Sequence, residues 1–294
     1  MKRTSFIKKV CIGVSVVIFA LIAGAISLFR IFAMPFSSVG FDVVQNHTNL
    51  FSIRSTIPDR TGMVFNYVKS NMDGSNATQE WVYYPNPIRS ESFKIYGFAR
   101  HQRATDLVCA DYDMGNFQVQ HILAYLIDIK GNRKLNAEGV IEGSSLFKQR
   151  FHGDYYSFSI GTIPSFNYNF DWVDLITMYP YLINKNKDFT TGILVPNSMM
   201  KFVYAGTVRF SFIGTIPYDG KPCRKYTVTI EGFEKKPGYL YADIDTDEVR
   251  EISVPIQNNP SLYTSFKYKL IGKSTMSSSA WDSFIRDKTV ATLK

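Results

Sequence analysis

Histidine set close to cysteine or carboxylate is the commonest way for a chain to hold a metal or shuttle a proton, so the four histidines come first. His47, His101, His121 and His152 stand apart, none three or four residues from another histidine, a cysteine or a carboxylate. The chain contains no His-Glu-x-x-His, no Cys-x-x-Cys, no Gly-x-Ser-x-Gly and no glycine-rich loop between a strand and a helix. Asp243, Asp245, Asp247 and Glu248 begin like a calcium loop but lack the glycine its sharp turn requires, so they read as a solvated hairpin tip. Carboxylates far apart in sequence could still meet as an acid and base pair, yet nothing singles out a pair. The expectation is a protein without catalysis, metal or cofactor.

Aromatic side chains are the positive signal. Tyr204, Phe210, Phe212, Tyr226, Tyr239, Tyr241, Phe266 and Tyr268 lie on neighbouring predicted strands, and Trp172, Leu175 and Tyr179 on one short predicted helix. Such rings either fill a closed barrel or line an apolar face left open for a ligand. The residues expected to line an apolar site are Trp172, Leu175, Tyr179, Tyr204, Phe210, Phe212 and Tyr226. His121 falls on an apolar face, where it would meet a ligand's polar head or be satisfied by a neighbour at the rim.

The elements that must position these residues follow from periodicity. Tyr226, Val228 and Ile230 alternate with Thr227 and Thr229, and the pattern recurs at Ile252, Val254 and Ile256 and at Phe266, Tyr268 and Leu270, so each strand buries one face. Turn formers separate the strands at Asp219-Gly220-Lys221-Pro222, Lys236-Pro237-Gly238 and Asp245-Thr246-Asp247. Further strands are predicted at 63–68, 79–84, 92–98, 105–110, 137–141 and 155–160. In the longest, Phe117, Val119, His121, Leu123, Tyr125, Ile127 and Ile129 share a face up to the turn at Lys130-Gly131-Asn132-Arg133. Trp172, Leu175, Ile176 and Tyr179 recur at helical spacing, with acidic residues in the first turn and Pro180 as the limit. Ser279-Ala280-Trp281-Asp282 has the form of a capping box and predicts a terminal helical turn or two. The motif Ile-Gly-Thr-Ile-Pro at 160–164 and 213–217 is too short to establish a duplication.

The formal charge is +8, but Lys2, Arg3, Lys8, Lys9 and Arg30 precede the first acidic residue, Asp42, and the remainder carries only +3. That balance gives no basic face for nucleic acid. Val10 to Phe29 are twenty residues without a charge behind a basic flank. At ~1.5 Å per residue they span the ~30 Å hydrocarbon layer as a signal-anchor. The flank stays in the cytoplasm and the rest crosses to the periplasm or an equivalent space. Ala23-Gly24-Ala25 leaves cleavage, with release to that space, as the alternative. Cys11 lies in the apolar run, so Cys109 and Cys223 either form a disulfide in an oxidising compartment or remain buried thiols.

The run Tyr239-Leu-Tyr-Ala-Asp-Ile-Asp-Thr-Asp-Glu-Val-Arg-Glu-Ile252, following Gly220-Lys-Pro-Cys-Arg-Lys-Tyr-Thr-Val228, resembles the hairpin of bacterial periplasmic lipoprotein-carrier proteins and related envelope domains. The positions that match are Asp243, Val249 and Arg250, and the helix at 171–179 is similar to that superfamily's short helical plug. The resemblance implies a half-barrel that holds acyl chains or another apolar ligand. The carriers are shorter and soluble once their signal is removed, so a tethered chain with extra strands departs from them. The expected fold is mainly β: a curved antiparallel sheet, half-barrel or open barrel, with one short inserted helix after an N-terminal transmembrane helix. The expected organisation is an anchor at 1–34, a tether at 35–50, a sheet domain at 51–272 and a short helix and tail at 273–294. The expected role is binding of a lipid-like ligand at the inner membrane. The alternatives are a scaffold with a packed barrel and envelope protein partners, or a divergent hydrolase of envelope polymers.

Overall fold

Fifteen strands, most of them alternating with period two, form one sheet in the computed structural model of this chain. The structure describes residues 59–96, 105–113, 118–128, 130–142, 146–151, 154–159, 166–168, 172–196, 202–230, 237–254 and 266–293. The first strands are β1 (Met63–Asn71), β2 (Thr78–Asn86), β3 (Arg89–Tyr96), β4 (Thr105–Asp113) and β5 (Gln118–Ile127). Then come β6 (Arg133–Glu142), β7 (Leu146–Phe151), β8 (Asp154–Ser159) and β9 (Phe166–Tyr168). Helix α1 (Val173–Met178) and a 3₁₀ turn (Tyr179–Tyr181) lead into β10 (Phe189–Pro196), β11 (Phe202–Tyr218) and β12 (Lys221–Ile230). The chain ends with β13 (Gly238–Asp243), β14 (Val249–Val254), β15 (Phe266–Thr275) and helix α2 (Ser278–Leu293).

The strand order is β8-β7-β6-β5-β4-β3-β2-β1-β15-β14-β13-β12-β11-β10-β9. Two meanders therefore run outward from a central seam, where the first strand pairs antiparallel with the last from Met63↔Thr275 to Asn71↔Phe266. Neighbours are antiparallel except β9 beside β10. Among the described residues β8 and β9 are open edges, so the sheet is not a closed barrel. A sheet of this width twists, and bulges at Asn66/Tyr67, Asp111/Tyr112, Ile193/Leu194 and Phe212/Gly214 add local bends. Positive φ at both Asp219 and Gly220 closes the β11–β12 hairpin as a tight two-residue turn.

A helix lies on each face. Trp81 and Tyr83 of β2 point to the same side as Phe93, Leu107 and Cys109, and there Trp281 and Ile285 of α2 complete a buried cluster. Val82 and Tyr84 point to the other side, where the Tyr84 hydroxyl meets Thr177 of α1 at 3.0 Å. The two helices thus bury opposite faces of the central strands.

Several expectations change. The long strand does not keep one face, because the bulge at Asp111/Tyr112 leaves Gln120 unpaired and sets Val119 opposite Tyr112, on the α1 side, while His121 stays opposite Asp111. Phe117 and Ile129 lie outside the described residues. In β14 both faces are covered, since Glu251 and Ser253 are buried along with Ile252 and Val254. The terminal helix runs sixteen residues rather than a turn or two. Its cap is Ser277, whose Oγ accepts from the Ala280 N–H at 3.3 Å, two residues before the expected box. Cys109 and Cys223 are free, buried thiols on β4 and β12, so there is no disulfide between them. Strands β7, β9 and β10 carry no clear alternation and were not expected. Residues 1–58, with the apolar run, tether and basic flank, lie outside the described residues, as does the Ile160–Pro164 motif. Among the described residues no helix is long and apolar enough to cross a membrane.

Candidate functional site

Cross-strand register assembles the aromatic site. Phe189, Phe210 and Val228 are successive neighbours across β10, β11 and β12. Phe212, Tyr226, Leu240, Ile252 and Tyr268 form the adjoining row through β15. Residues directly opposite across antiparallel strands share a face and pack together. Phe189 and Phe210 stack at 4.4 Å, and Tyr226 meets Phe189 edge-on at 5.4 Å. Tyr268 stacks on Tyr67 at 4.7 Å, which carries the aromatic row across the seam.

Helix α1 roofs this face. Trp172 enters it with φ 60, a left-handed conformation that costs a non-glycine residue about 1–2 kcal/mol. Its ring lies edge-on to Phe210 at 6.3 Å. Leu175, Ile176, Met178, Tyr179 and Tyr181 are all buried beside it. Six residues form no stable helix alone, so burial of these side chains is what holds α1 in place.

Polar contacts fix it at both ends. Tyr112 donates to Asp174 Oδ1 at 2.7 Å and accepts from Ser90 at 2.9 Å. Burial, then the Asp174 charge, pushes the Tyr112 phenol well above its ordinary range, so it keeps the proton it donates. The Arg60 guanidinium lies over the Phe65 and Tyr84 rings and donates to the Ile176 carbonyl at 3.2 Å. Tyr179 donates to Tyr226 at 3.0 Å, and Tyr226 donates to the Lys185 carbonyl. Burial first, and then Tyr226, raises the Tyr179 phenol as well. Lys185 in turn reaches Asp247 at 3.0 Å, and Asp247 also binds Arg224 at 2.9 Å. The acidic hairpin tip therefore anchors the segment after α1. Among the described residues no group of three or more His, Cys, Asp or Glu side chains could hold a metal ion.

A cavity of about 20 Å³ sits beside α1 between Ser90, Lys94, Val108, Ile122 and Asp174. That is room for one water. Buried Lys94 and Glu80 face each other at 3.8 Å on the same side of the sheet.

Of the expected residues, Trp172, Leu175, Tyr179, Phe210 and Tyr226 come together and are fully buried. Phe212 is half-buried at the rim, 5.5 Å from Tyr226. Tyr204 pairs with Leu194 in the backbone, and its side chain lies outside the described set. His121 does not join the rings. It lies on the opposite face, 3.0 Å from Glu138 and 3.8 Å from Asp111, in a charged group with Arg89. Alternation gave no sign that its apolar neighbours belong to the α2 core. Phe189, Tyr67, Tyr112, Asp174 and Arg60 were missed. Phe189 shows no strand alternation, and the others matter through contacts distant in sequence.

Comparison with known proteins gives structural likeness only. No protein-family model and no curated protein matches this chain. A β-barrel-like protein of a domain of unknown function, DUF1849, from Brucella abortus is similar over 74% of this chain and 99% of its own, at 6% identity and a TM-score of 0.41. MucB in complex with MucA(peri) matches over 74% of this chain and 52% of its own, at 8% identity and a TM-score of 0.24. MucB alone matches over 76% and 56%, at 10% identity and a TM-score of 0.23.

Proposed function

We propose that this protein is a membrane-anchored envelope protein that holds a lipid-like or other apolar molecule, without catalysis, on the sheet face beneath α1. One observation carries the reading: the buried rings of Phe189, Phe210 and Tyr226 are roofed by Trp172 and Tyr179, which flank a six-residue helix entered through a left-handed tryptophan. The roof occupies the place an apolar ligand would take. Burial of a side chain such as Leu175 or Ile176 is worth about 1.5–3 kcal/mol, so a ligand that displaces α1 must bring comparable apolar area. A long acyl chain does so, and a small polar metabolite does not. The basic flank and the uncharged run at 10–29 support the membrane and periplasmic address.

Complete burial of Trp172, Leu175, Tyr179, Phe210 and Tyr226 favours a second reading, a scaffold whose interior is permanently filled. Mass spectrometry of organic extracts from the purified protein separates the two. The binding reading expects a stoichiometric apolar compound, reduced when Phe210→Asp disrupts the ring face. Clean extracts, together with no uptake of added fatty acid, would leave the scaffold.

A further inference from the structure

We infer a phosphate-binding site in the cleft between β14 and β15, apart from the aromatic face and independent of the apolar-ligand reading. β15 pairs with β14 only from Phe266 to Lys269, whereas its pairing with β1 continues to Thr275. From Leu270 onward β15 therefore has a strand on one side and a cleft of about 330 Å³ on the other. Its walls carry Arg250, Lys269, Lys273 and Asp219, with Gly272 on the β15 side.

The sheet's own irregularities aim these cations. The bulge at Tyr241/Ala242 leaves Arg250 as the extra residue of β14, opposite no residue of β13, and a bulge re-aims the side chain it carries. A second bulge skips Ile271 in the pairing of β15 with β1. Lys269 faces Asp219 at 3.3 Å and Lys273 faces Glu248 at 2.9 Å, so two of the three cations have carboxylate partners. Arg250 has no ion pair within 4 Å among the described residues, and Asp243 feels its charge only at longer range. Among the described residues the cleft thus holds one guanidinium without a carboxylate in contact, flanked by two ammonium groups that can turn toward an incoming anion. A guanidinium fork matches two oxygens of a phosphate, and ammonium groups add point charge. A Cβ built on Gly272 meets nothing within 4 Å, so the floor is open to a tetrahedral group. The phosphate could come free from solution or as a lipid headgroup, and the chemistry of recognition is the same.

The test is titration of the purified full chain in neutral detergent at constant ionic strength, with calorimetry reading binding in every variant and the Arg250 side-chain N–H resonance reporting the site in the native chain. Inorganic phosphate and dihexanoyl phosphatidate are the probes. Saturable shifts at Arg250 with either probe are expected. Arg250→Gln should weaken binding about tenfold or more, and Arg209→Gln, an exposed cation on β11, should leave it unchanged. Phosphatidate binding well above inorganic phosphate assigns the headgroup, and equal binding assigns the free anion. If Arg250→Gln does not fold, Gly272→Asp places a carboxylate in the cleft without a clash and should abolish binding. No saturable shift, or equal losses in Arg250→Gln and Arg209→Gln, would overturn the site.

Discussion

The two helices that cover the sheet do so by different physics. Helix α2 is sixteen residues long, capped by Ser277, and stacks Trp281 on Tyr83 and Phe284 at 5.1 and 5.6 Å. The Trp281 indole also donates to Glu91 at 2.8 Å. Helix α1 is six residues, has no side-chain cap, starts from a strained residue and is pinned by scattered tyrosine, aspartate and arginine contacts. A long capped helix on an aromatic core is a clamp. A short uncapped one between polar pins is, on the proposed reading, a cover that an equally apolar ligand would displace.

The largest effect is expected at the clamp. Trp281→Ala removes two stacked contacts and the bond to Glu91, and should cost about 3–5 kcal/mol in urea unfolding. A loss under about 1 kcal/mol would erase the distinction between the helices. At the cover, Tyr112→Phe removes the donor to Asp174 and should cost about 1–3 kcal/mol. It should also raise hydrogen exchange across α1 while exchange in α2 stays unchanged.

A third prediction concerns the hairpin tip that anchors the segment after α1. Burial pushes the Asp243 carboxyl up, but the N–H groups of Thr246 and Asp245, with Lys221 and Arg250, more than reverse this and leave it below the ordinary carboxylate range. A depressed carboxyl stabilises the fold above its unfolded value of about 3.9, and that stability is lost as pH falls through the lower folded value. Acid unfolding of the native chain should therefore steepen below about pH 4, and Asp243→Asn should be less stable at neutrality with a flatter acid limb. The smallest effect is expected from the exposed Arg133–Asp282 pair between β6 and α2, where Asp282→Asn should change stability by roughly 0–1 kcal/mol.

Much of the sheet was legible because alternation survives wherever one face is covered. β12 is the clear case: Tyr226, Val228 and Ile230 are buried, and Thr229 is exposed. In β14 the strand and its buried Ile252 and Val254 were legible but the cover over its polar face was not, and a bulge that changes the phase hid the side taken by Val119. The short helix was readable from Trp172, Leu175, Ile176 and Tyr179, but the length of α2 was not, because its apolar stripe is narrow and only Trp281, Ile285 and Thr289 are buried. The ring cluster was visible as composition on neighbouring strands. Its pins were not, since Tyr112 and Asp174 stand 62 positions apart and Arg60 and Ile176 stand 116 apart. His121 shows the limit of pattern reading: alternation put it on an apolar face without telling which of two apolar faces it was.

Native-state hydrogen exchange, resolved by residue with and without added oleate, tests the exchangeable cover most directly. Residues 173–181 should open at a free energy below that of global unfolding and lose protection further when oleate binds, while 281–289 should exchange only through global unfolding in both conditions. If α1 and α2 open together, and oleate leaves α1 as protected as before, the cover is part of the permanent core and the binding role is contradicted.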